Sequence, residues 1–227
     1  MPGGSRPCVR WGVLFWKRKP KTRAELLAAA DRARANGRIK AAVAGYRKVL
    51  AEHGDDPHVH GKLAPLLARL EDVAGALASF RLAAEGHLGA GFLDRALSVY
   101  GQGRGFFPLE AEFHSEAARI HLVRGRRADA AIVLTEGGRA LGRTQRADAI
   151  EMLRGALGIQ PGDLEATLAL VPLLREEGRR DEARRLLEDV ELGLRGTSRR
   201  RVRWQILRTA PGFRSFFRWL AAAVGRR

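Results

Sequence analysis

The sequence predicts an all-α fold built from a repeated helix pair, and three observations support this prediction. First, a frame of residues spaced five, four and three positions apart occurs six times, as in Gly91, Ala96, Tyr100 and Gly103. Second, the last two spacings place these residues on one face of an α-helix. Third, successive copies lie 34, 20 or 19 residues apart, which leaves room for two helices or for one. A repeat of this kind indicates a stack of helical units.

Each copy contains a small residue at a position where two helix backbones can approach closely. The frame alanines are Ala42, Ala76, Ala96, Ala130, Ala149 and Ala183. Steps of 34 alternate with shorter steps, so the larger unit is three helices in 53 or 54 residues, present three times. Pro108 and Pro161 close two of the copies, because proline has no backbone donor with which to continue a helix.

The individual helices follow from this frame and from the Gly, Pro and Asn-Gly turn signals between copies. The predicted helices are 22–35, 38–53, 57–70, 73–88, 92–105, 110–124, 127–141, 145–158, 163–177 and 180–194. Thr22 with Glu25 predicts a capping box, and Asp163 predicts an N-cap. Pro65 and Pro172 lie inside predicted helices, where each predicts a kink or a local break.

This pattern resembles the tetratricopeptide repeat superfamily, and in particular its bacterial members, over about residues 23–192. The resemblance implies a right-handed superhelical solenoid of antiparallel helix pairs, with a groove that binds a partner protein or peptide. The chain departs from the family pattern at Glu71 and Thr144, where glycine is usual. It also lacks the tryptophan that the family carries in the first helix of a pair.

The formal charge of +16 is distributed unevenly along the chain. Residues 25–196 contain 25 basic residues and all 25 acidic ones, whereas residues 1–24 and 197–227 hold seven and nine basic residues without an acid. All four tryptophans lie in these two ends. We therefore predict three regions: a basic, aromatic and partly disordered tail (1–21), a helical repeat domain (22–196) and a basic amphipathic helical segment (197–227).

Several classes of function find no support in the sequence. A single cysteine, Cys8, excludes an internal disulfide and is typical of a reducing compartment, so we expect a cytoplasmic protein. No apolar run has the length of a membrane span, and no secretory signal is evident. Residues 137–144 match a phosphate-binding loop only superficially, since arginine replaces its lysine. We expect neither an enzyme nor a cofactor.

One cluster of potential metal ligands occurs, in the turn that contains His53, His58, His60, Asp55 and Asp56. Imidazole and carboxylate groups at such short spacing can bind zinc or nickel. The simpler interpretation, which we favour, is a solvated turn between repeats in which an aspartate caps the next helix.

Two functional interpretations remain, and they are compatible with each other. The resemblance implies a scaffold that binds a protein or peptide in its groove. Its candidate contact residues are Lys62, Arg69, Arg119 and Arg124. The basic ends offer a second interpretation, binding to an anionic membrane surface or, less favoured, to a nucleic acid. The candidates for that contact are Trp16, Lys17, Arg18, Lys19, Arg199, Arg200, Arg201, Arg203, Trp204, Arg214, Arg218 and Trp219.

The C-terminal segment has a further interpretation that involves no ligand. Phe213, Phe216, Phe217, Leu220 and Val224 share one helical face, which can pack on the last repeat as a cap. We expect this cap to be the commonest outcome for such a segment, followed by membrane contact and then by nucleic-acid binding.

Overall fold

The computed structural model describes residues 22–209 and 219–220, which form eleven α-helices and no strand. The helices are α1 (Arg23–Ala35), α2 (Ile39–His53), α3 (Pro57–Arg69), α4 (Val73–Gly89), α5 (Leu93–Phe106), α6 (Ala111–Val123), α7 (Arg127–Leu141), α8 (Arg146–Ile159), α9 (Leu164–Glu176), α10 (Arg180–Gly193) and α11 (Gly196–Thr209). All ten helices predicted from the sequence are present, with ends within one residue of the prediction. The all-α prediction is confirmed. No helix among the described residues is both long enough and apolar enough to cross a bilayer.

Some of the predicted features lie outside the described residues. They include the tail 1–21, most of the amphipathic face beyond residue 209, and the candidates Trp16, Lys17, Arg18, Lys19, Arg214 and Arg218. The division into 1–21, 22–196 and 197–227 therefore stays a prediction. Contacts group the chain into two compact units, Met1–His53 and Gly54–Arg227.

The first unit contains α1 packed on α2. The predicted capping box begins α1, because the Thr22 hydroxyl accepts from the Glu25 amide and the Glu25 carboxylate accepts from the Thr22 amide. Gly45 lets the helices approach closely, since a Cβ there would lie 2.8 Å from that of Ala30. The buried Tyr46 donates to the Asp31 carboxylate at 2.6 Å, and burial together with this bond raises the pKa of Tyr46.

The repeat frame marks the core of both units. The six frame alanines are all fully buried: Ala42, Ala76, Ala96, Ala130, Ala149 and Ala183. The large residue four positions later is buried in five copies, and Leu134 of the fourth copy is half-buried. Small side chains at the frame position let neighbouring helices approach, and the large residue fills the space one turn away. The predicted role of the frame is confirmed.

Four helices of the second unit end in closely related turns. After α4, the Gly91 amide donates to the Leu88 carbonyl and the next amide donates to the His87 carbonyl, which is the Schellman pattern. The same pair of bonds recurs at Gly125 and Gly178, and at Gly37 in the first unit. These glycines have φ values of 70° to 78°, in the left-handed region that glycine adopts without steric cost.

Glu71 forms the same turn after α3 without being glycine. Its φ is 62°, and it is the one non-glycine residue with positive φ among those described. Its amide donates to the Ala68 carbonyl, and the Asp72 amide donates to the Leu67 carbonyl, as in the glycine turns. The departure from the family pattern at this position therefore changes the residue but keeps the turn, at a cost in backbone strain.

The departure at Thr144 has a different outcome. Here the positive φ moves to Gly142, at 48°, two residues earlier. The Thr144 hydroxyl donates to the Leu141 carbonyl at 2.6 Å, which satisfies an acceptor at the end of α7. The turn between α7 and α8 is thus built differently from the other five.

Two hydrophobic clusters form the interior of the second unit. The first lies among α3–α7 and is centred on aromatic rings, with the Phe113 centroid 6.0 Å from Phe80 and 5.9 Å from Tyr100. The second lies among α7–α11 and is largely aliphatic, including Leu153, Leu170 and Leu187. Because Val202 and Ile206 belong to the second cluster, α11 is part of the core.

Neither internal proline interrupts its helix. Pro65 lies within α3 and Pro172 within α9, and both helices continue on either side. Of the two predicted outcomes, the local break is therefore wrong, and a kink stays a prediction. Each helix has an aspartate N-cap nine residues before its proline: Asp56 accepts from the His58 amide at 2.8 Å, and Asp163 accepts from the Ala166 amide at 2.7 Å. The predicted N-cap at Asp163 is confirmed.

Candidate functional site

A cleft of about 390 Å³ opens in the second unit where the α7–α8 turn meets α9, α10 and α11. The residues that line it are Arg143, Pro172, Arg175, Glu176, Arg180, Gln205 and Arg208. We call this surface the arginine cleft. Four arginines against one glutamate give the lining a formal charge of +3.

The arginines of this cleft differ in how they are neutralised. Glu176 forms ion pairs with Arg143 and, at 3.1 Å, with Arg146. The guanidinium groups of Arg175, Arg180 and Arg208 make no hydrogen bond or ion pair with any residue of 22–209 or 219–220. The single acid in the cleft is thus already shared, and three guanidinium groups keep their charge without a counter-ion among the described residues.

A second cleft of about 280 Å³ continues from the first, because Arg143 and Pro172 line both. Its other lining residues are Gly138, Arg139, Gly142, Ala169 and Leu173. We call it the apolar cleft, since small and aliphatic residues form most of its wall. Gly138 is required there by packing, because a Cβ would lie 2.5 Å from the Leu153 Cγ atom of α8.

A buried ion pair holds α11 against α10 at the edge of the arginine cleft. Glu191 of α10 is 1% exposed, and its carboxylate accepts from Arg203 at 2.7 Å and from Arg199 at 3.3 Å. Val202 and Ile206 pack beneath α11 in the aliphatic cluster. These contacts fix the helix that contributes Gln205 and Arg208 to the cleft.

Comparison with known families identifies the repeat that builds this site. Residues 140–199, which include most of both clefts, match the tetratricopeptide repeat family model. Over these residues the chain is similar to a tetratricopeptide repeat. The sequence-based resemblance to this superfamily is therefore confirmed, and so is the prediction of a helical repeat solenoid.

Several solved structures are similar to the chain at low identity. The MamA protein is 14% identical, with 74% of this chain and 89% of that chain covered and a TM-score of 0.34. PilF of Pseudomonas aeruginosa is 15% identical over 89% of each chain, with a TM-score of 0.32. A thermophilic tetratricopeptide repeat protein of Thermus thermophilus is 20% identical over 89% of this chain and all of its own, with a TM-score of 0.27. No curated protein matches the chain in sequence.

The four groove residues suggested by the tetratricopeptide resemblance lie elsewhere, and none lines the two described clefts. Lys62 is half-buried on α3, and Arg69 is exposed at the end of that helix. Arg119 bonds Glu116 on its own helix, α6, with contacts of 2.9 and 2.7 Å. Arg124 pairs with Asp94 of α5, beside a separate cleft of about 400 Å³. Their role in binding stays a prediction.

The structure describes six of the residues predicted to contact a polyanion or membrane. Arg199 and Arg203 are bonded to Glu191, and Arg201 lies 3.8 Å from Glu165. Arg200 is half-buried. Trp204 is 45% exposed, and its ring centroid lies 5.6 Å from that of Trp219. Part of the basic C-terminal charge is therefore used within the fold.

The residues of the arginine cleft were not predicted from the sequence, although a signal for them exists. Arg143, Arg175 and Arg208 are separated by 32 and 33 residues, close to the repeat period of 34. Residues one period apart occupy equivalent places in successive units. The signal is hidden because residues 25–196 are neutral as a whole, and only the structure shows which arginines have no partner in its described part.

The histidine-rich turn is not assembled as a metal centre. His60 is buried, and its Nε2 atom lies 3.2 Å from the Asp55 carboxylate. Among residues 22–209 and 219–220, no three His, Cys, Asp or Glu side chains are placed to hold a metal ion together. Asp56 instead caps α3, as the simpler interpretation of this turn expected.

Proposed function

We propose that this chain is a non-enzymatic scaffold of the cytoplasm that binds a segment of a partner protein in the two continuous clefts. The observation that carries the proposal is the cleft lining itself, in which three guanidinium groups without a described partner stand beside an apolar wall. Binding sites for peptides combine apolar contact area with a few placed polar groups. The helix-pair architecture also supports the proposal, because stacked helical units create extended binding surfaces.

Site-specific photo-crosslinking in the native cells tests this proposal. A photoreactive phenylalanine analogue replaces Gln205, which lines the arginine cleft, in the full chain. The matched control places the same analogue at Leu192 of α10, which is 85% exposed and lines neither cleft. We expect a discrete protein adduct from position 205 that is absent from position 192. Identical adducts from both positions, or no protein adduct from position 205, would contradict the proposal.

A second candidate function is contact with an anionic membrane surface, and one observation favours it. Trp204 is exposed and lies against Trp219, in a segment that contains arginines and no acid. Tryptophan and arginine together suit the interface of a bilayer that contains anionic lipid. This function does not exclude the first, because Trp204 lies outside the residues that line the arginine cleft.

Liposome co-sedimentation tests the second candidate. The full chain and a Trp204→Ala, Trp219→Ala variant are compared on vesicles with and without anionic lipid, across a salt series. Salt-sensitive binding that the variant loses would support membrane contact through this aromatic pair. Equal binding of both proteins, or no binding by either, would remove the candidate.

A further inference from the structure

We infer that the partner segment is an internal acidic stretch with an apolar residue at one end, its carboxylates in the arginine cleft and its apolar side chain in the apolar cleft. This inference rests on the proposed function and names the chemical class of the partner. It uses residues that the sequence did not single out, chiefly Arg175, Arg180 and Arg208.

Unbalanced charge in the arginine cleft is the first reason for this inference. Arg175, Arg180 and Arg208 repel one another across a shared cavity, and Glu176 is already engaged by Arg143 and Arg146. Like charges that line one concave surface raise its potential and concentrate ions of the opposite sign. Guanidinium groups match carboxylates with paired, directional hydrogen bonds. The missing counter-charge is thus supplied best by carboxylates of a ligand.

The apolar cleft supplies the second reason, because it restricts what kind of anion fits. Ala169, Pro172 and Leu173 of α9 form an apolar wall that continues directly into the arginine cleft. An inorganic anion would leave this wall exposed to water. A peptide with an apolar side chain next to its acidic residues covers both surfaces at once, and burial of the apolar group adds affinity.

The shape of the charge distribution favours an internal segment over a chain end. The guanidinium groups without a described partner come from three helices around the arginine cleft: Arg175 from α9, Arg180 from α10 and Arg208 from α11. A single terminal carboxylate would neutralise only one part of this row. Several side-chain carboxylates in sequence neutralise more of it.

Nucleic acid is the competing polyanion, and the lining residues disfavour it. Proteins that bind single strands combine basic grooves with aromatic rings on which bases stack. Among the described residues that line the two clefts, none is aromatic. The nearest candidate in sequence, Trp204, instead lies against Trp219, with the two rings tilted by 48°. An acidic peptide therefore fits the two clefts better than a nucleic acid does, and an oligonucleotide serves as the competing probe.

Fluorescence anisotropy with the full-length protein tests this inference. The probe is a labelled, C-terminally amidated peptide of two leucines, one glycine and five glutamates, so that no terminal carboxylate contributes. A second peptide has glutamine in place of every glutamate. We expect the glutamine peptide to bind at least about tenfold more weakly, and the acidic peptide to lose affinity between about 50 and about 300 mM salt.

Charge-reversal variants locate the binding. Arg175→Glu with Arg208→Glu places acids in the cleft, and we expect at least about a tenfold loss of affinity for the acidic peptide. The matched control, Arg38→Glu with Arg185→Glu, makes the same charge change at exposed positions outside the cleft and should bind as the wild type does. Circular dichroism verifies that the variants are folded. If charge reversal unfolds the chain, the double variant Arg175→Met, Arg208→Met replaces it, because methionine keeps the aliphatic stems. We expect this variant to show the same loss of affinity.

Three outcomes would overturn the inference. If the glutamine peptide binds as tightly and the cleft variants bind normally, the acidic class is wrong. If the acidic peptide does not bind at all, the inference fails, while crosslinking from position 205 still decides the proposed function. If a labelled single-stranded oligonucleotide binds more tightly than the acidic peptide, and if the same variants lose this binding, the cleft binds nucleic acid instead.

Discussion

The arginines of α4–α6 and those of α9–α11 are used differently. In the first group, Arg81 of α4 bonds two carboxylates at the start of α6, Glu110 at 3.0 Å and Glu112 at 2.6 Å. Arg104 of α5 likewise reaches Glu136 of α7 at 3.3 Å. These pairs join helices that are two apart in the chain. In the second group, three arginines line one cleft without a described acidic partner.

The difference shows that arginine content alone does not indicate a binding surface. An arginine whose partner lies on the next-but-one helix stabilises the stacking of repeats, and its charge is neutralised within the fold. An arginine without a partner keeps its potential for a ligand. The C-terminal group contains both kinds, because Arg199 and Arg203 neutralise Glu191 whereas Arg208 does not. Four predictions test this distinction, from the largest expected effect to the smallest.

The largest effect is expected from Glu191→Gln, which removes the charge that anchors α11. Because Glu191 is buried and Arg203 is 15% exposed, the change leaves a guanidinium group poorly compensated, and we expect the free energy of unfolding to fall by about 3 kcal/mol. Urea denaturation monitored by circular dichroism and by tryptophan fluorescence measures the loss.

Glu188→Gln is the matched control for this change. Glu188 lies on the same helix and forms a partly exposed pair with Arg184. We expect its removal to change stability by less than about 0.5 kcal/mol. Equal stabilities of the two variants would mean that the buried pair does not anchor α11, and the structural role assigned to these C-terminal arginines would be lost.

A smaller effect of opposite sign is expected from Glu71→Gly. This change alters no arginine, so it gives a reference value for a stability change that does not involve an ion pair. Glycine relieves the left-handed backbone of this turn, and we expect a stabilisation of about 1 kcal/mol. Gly91→Ala, the converse change in the equivalent turn, should destabilise by a similar amount. Thermal unfolding checks both, and a loss of stability in Glu71→Gly would show that its side chain has a role that outweighs the strain.

Arg81→Met and Arg175→Met compare the stability contributions of a paired arginine and of an arginine without a described partner. Methionine keeps the apolar stem and removes the charge, so that packing is largely preserved. We expect Arg81→Met to lower the free energy of unfolding by about 1 kcal/mol, since two ion pairs are lost. Arg175→Met should have no measurable cost or a slight benefit, because a like-charge repulsion is relieved. Equal losses would contradict the distinction between the two groups.

The smallest effect is expected from mild acidification, which should act on α4–α6 before α9–α11. His87, His114 and His121 lie on α4 and α6, and burial lowers the pKa of each. A lowered pKa means that the folded state favours neutral imidazole. Their contribution to stability is therefore complete above the unfolded pKa, near 6.5, and is lost as the pH falls from there through the lowered pKa of the folded state.

Hydrogen exchange at pH 7.5 and pH 6 measures this last effect. No histidine occurs after residue 121, so exchange of α9–α11 amides, corrected for intrinsic rates, should change less than that of α6. His114→Gln should reduce the difference, because His114 is 4% exposed and its Nε2 lies 3.1 Å from the Pro108 carbonyl. An equal increase in amide exchange in α6 and in α9–α11 would contradict the assignment of the acid sensitivity to these buried histidines.

Much of the fold could be predicted from the sequence, because its signals are local. The spacing of Ala96 and Tyr100, and the glycine before them, is read within a single helix and its preceding turn. Helix ends follow equally local rules, such as the N-cap at Asp163. The predicted break at Pro172 failed because surrounding packing can retain a helix whose intrinsic preference is to end.

The candidate site could not be predicted in the same way, because it depends on which side chains meet across helices. Arg119 and Arg124 look as available in the sequence as Arg175 does, yet both have acidic partners in the structure. The sequence by itself determined the class of fold, the repeat and the position of nearly every helix, since these depend on neighbours along the chain. Only the tertiary structure decided which charges are neutralised, because a carboxylate about thirty residues away is brought within hydrogen-bonding distance by the stacking of repeats.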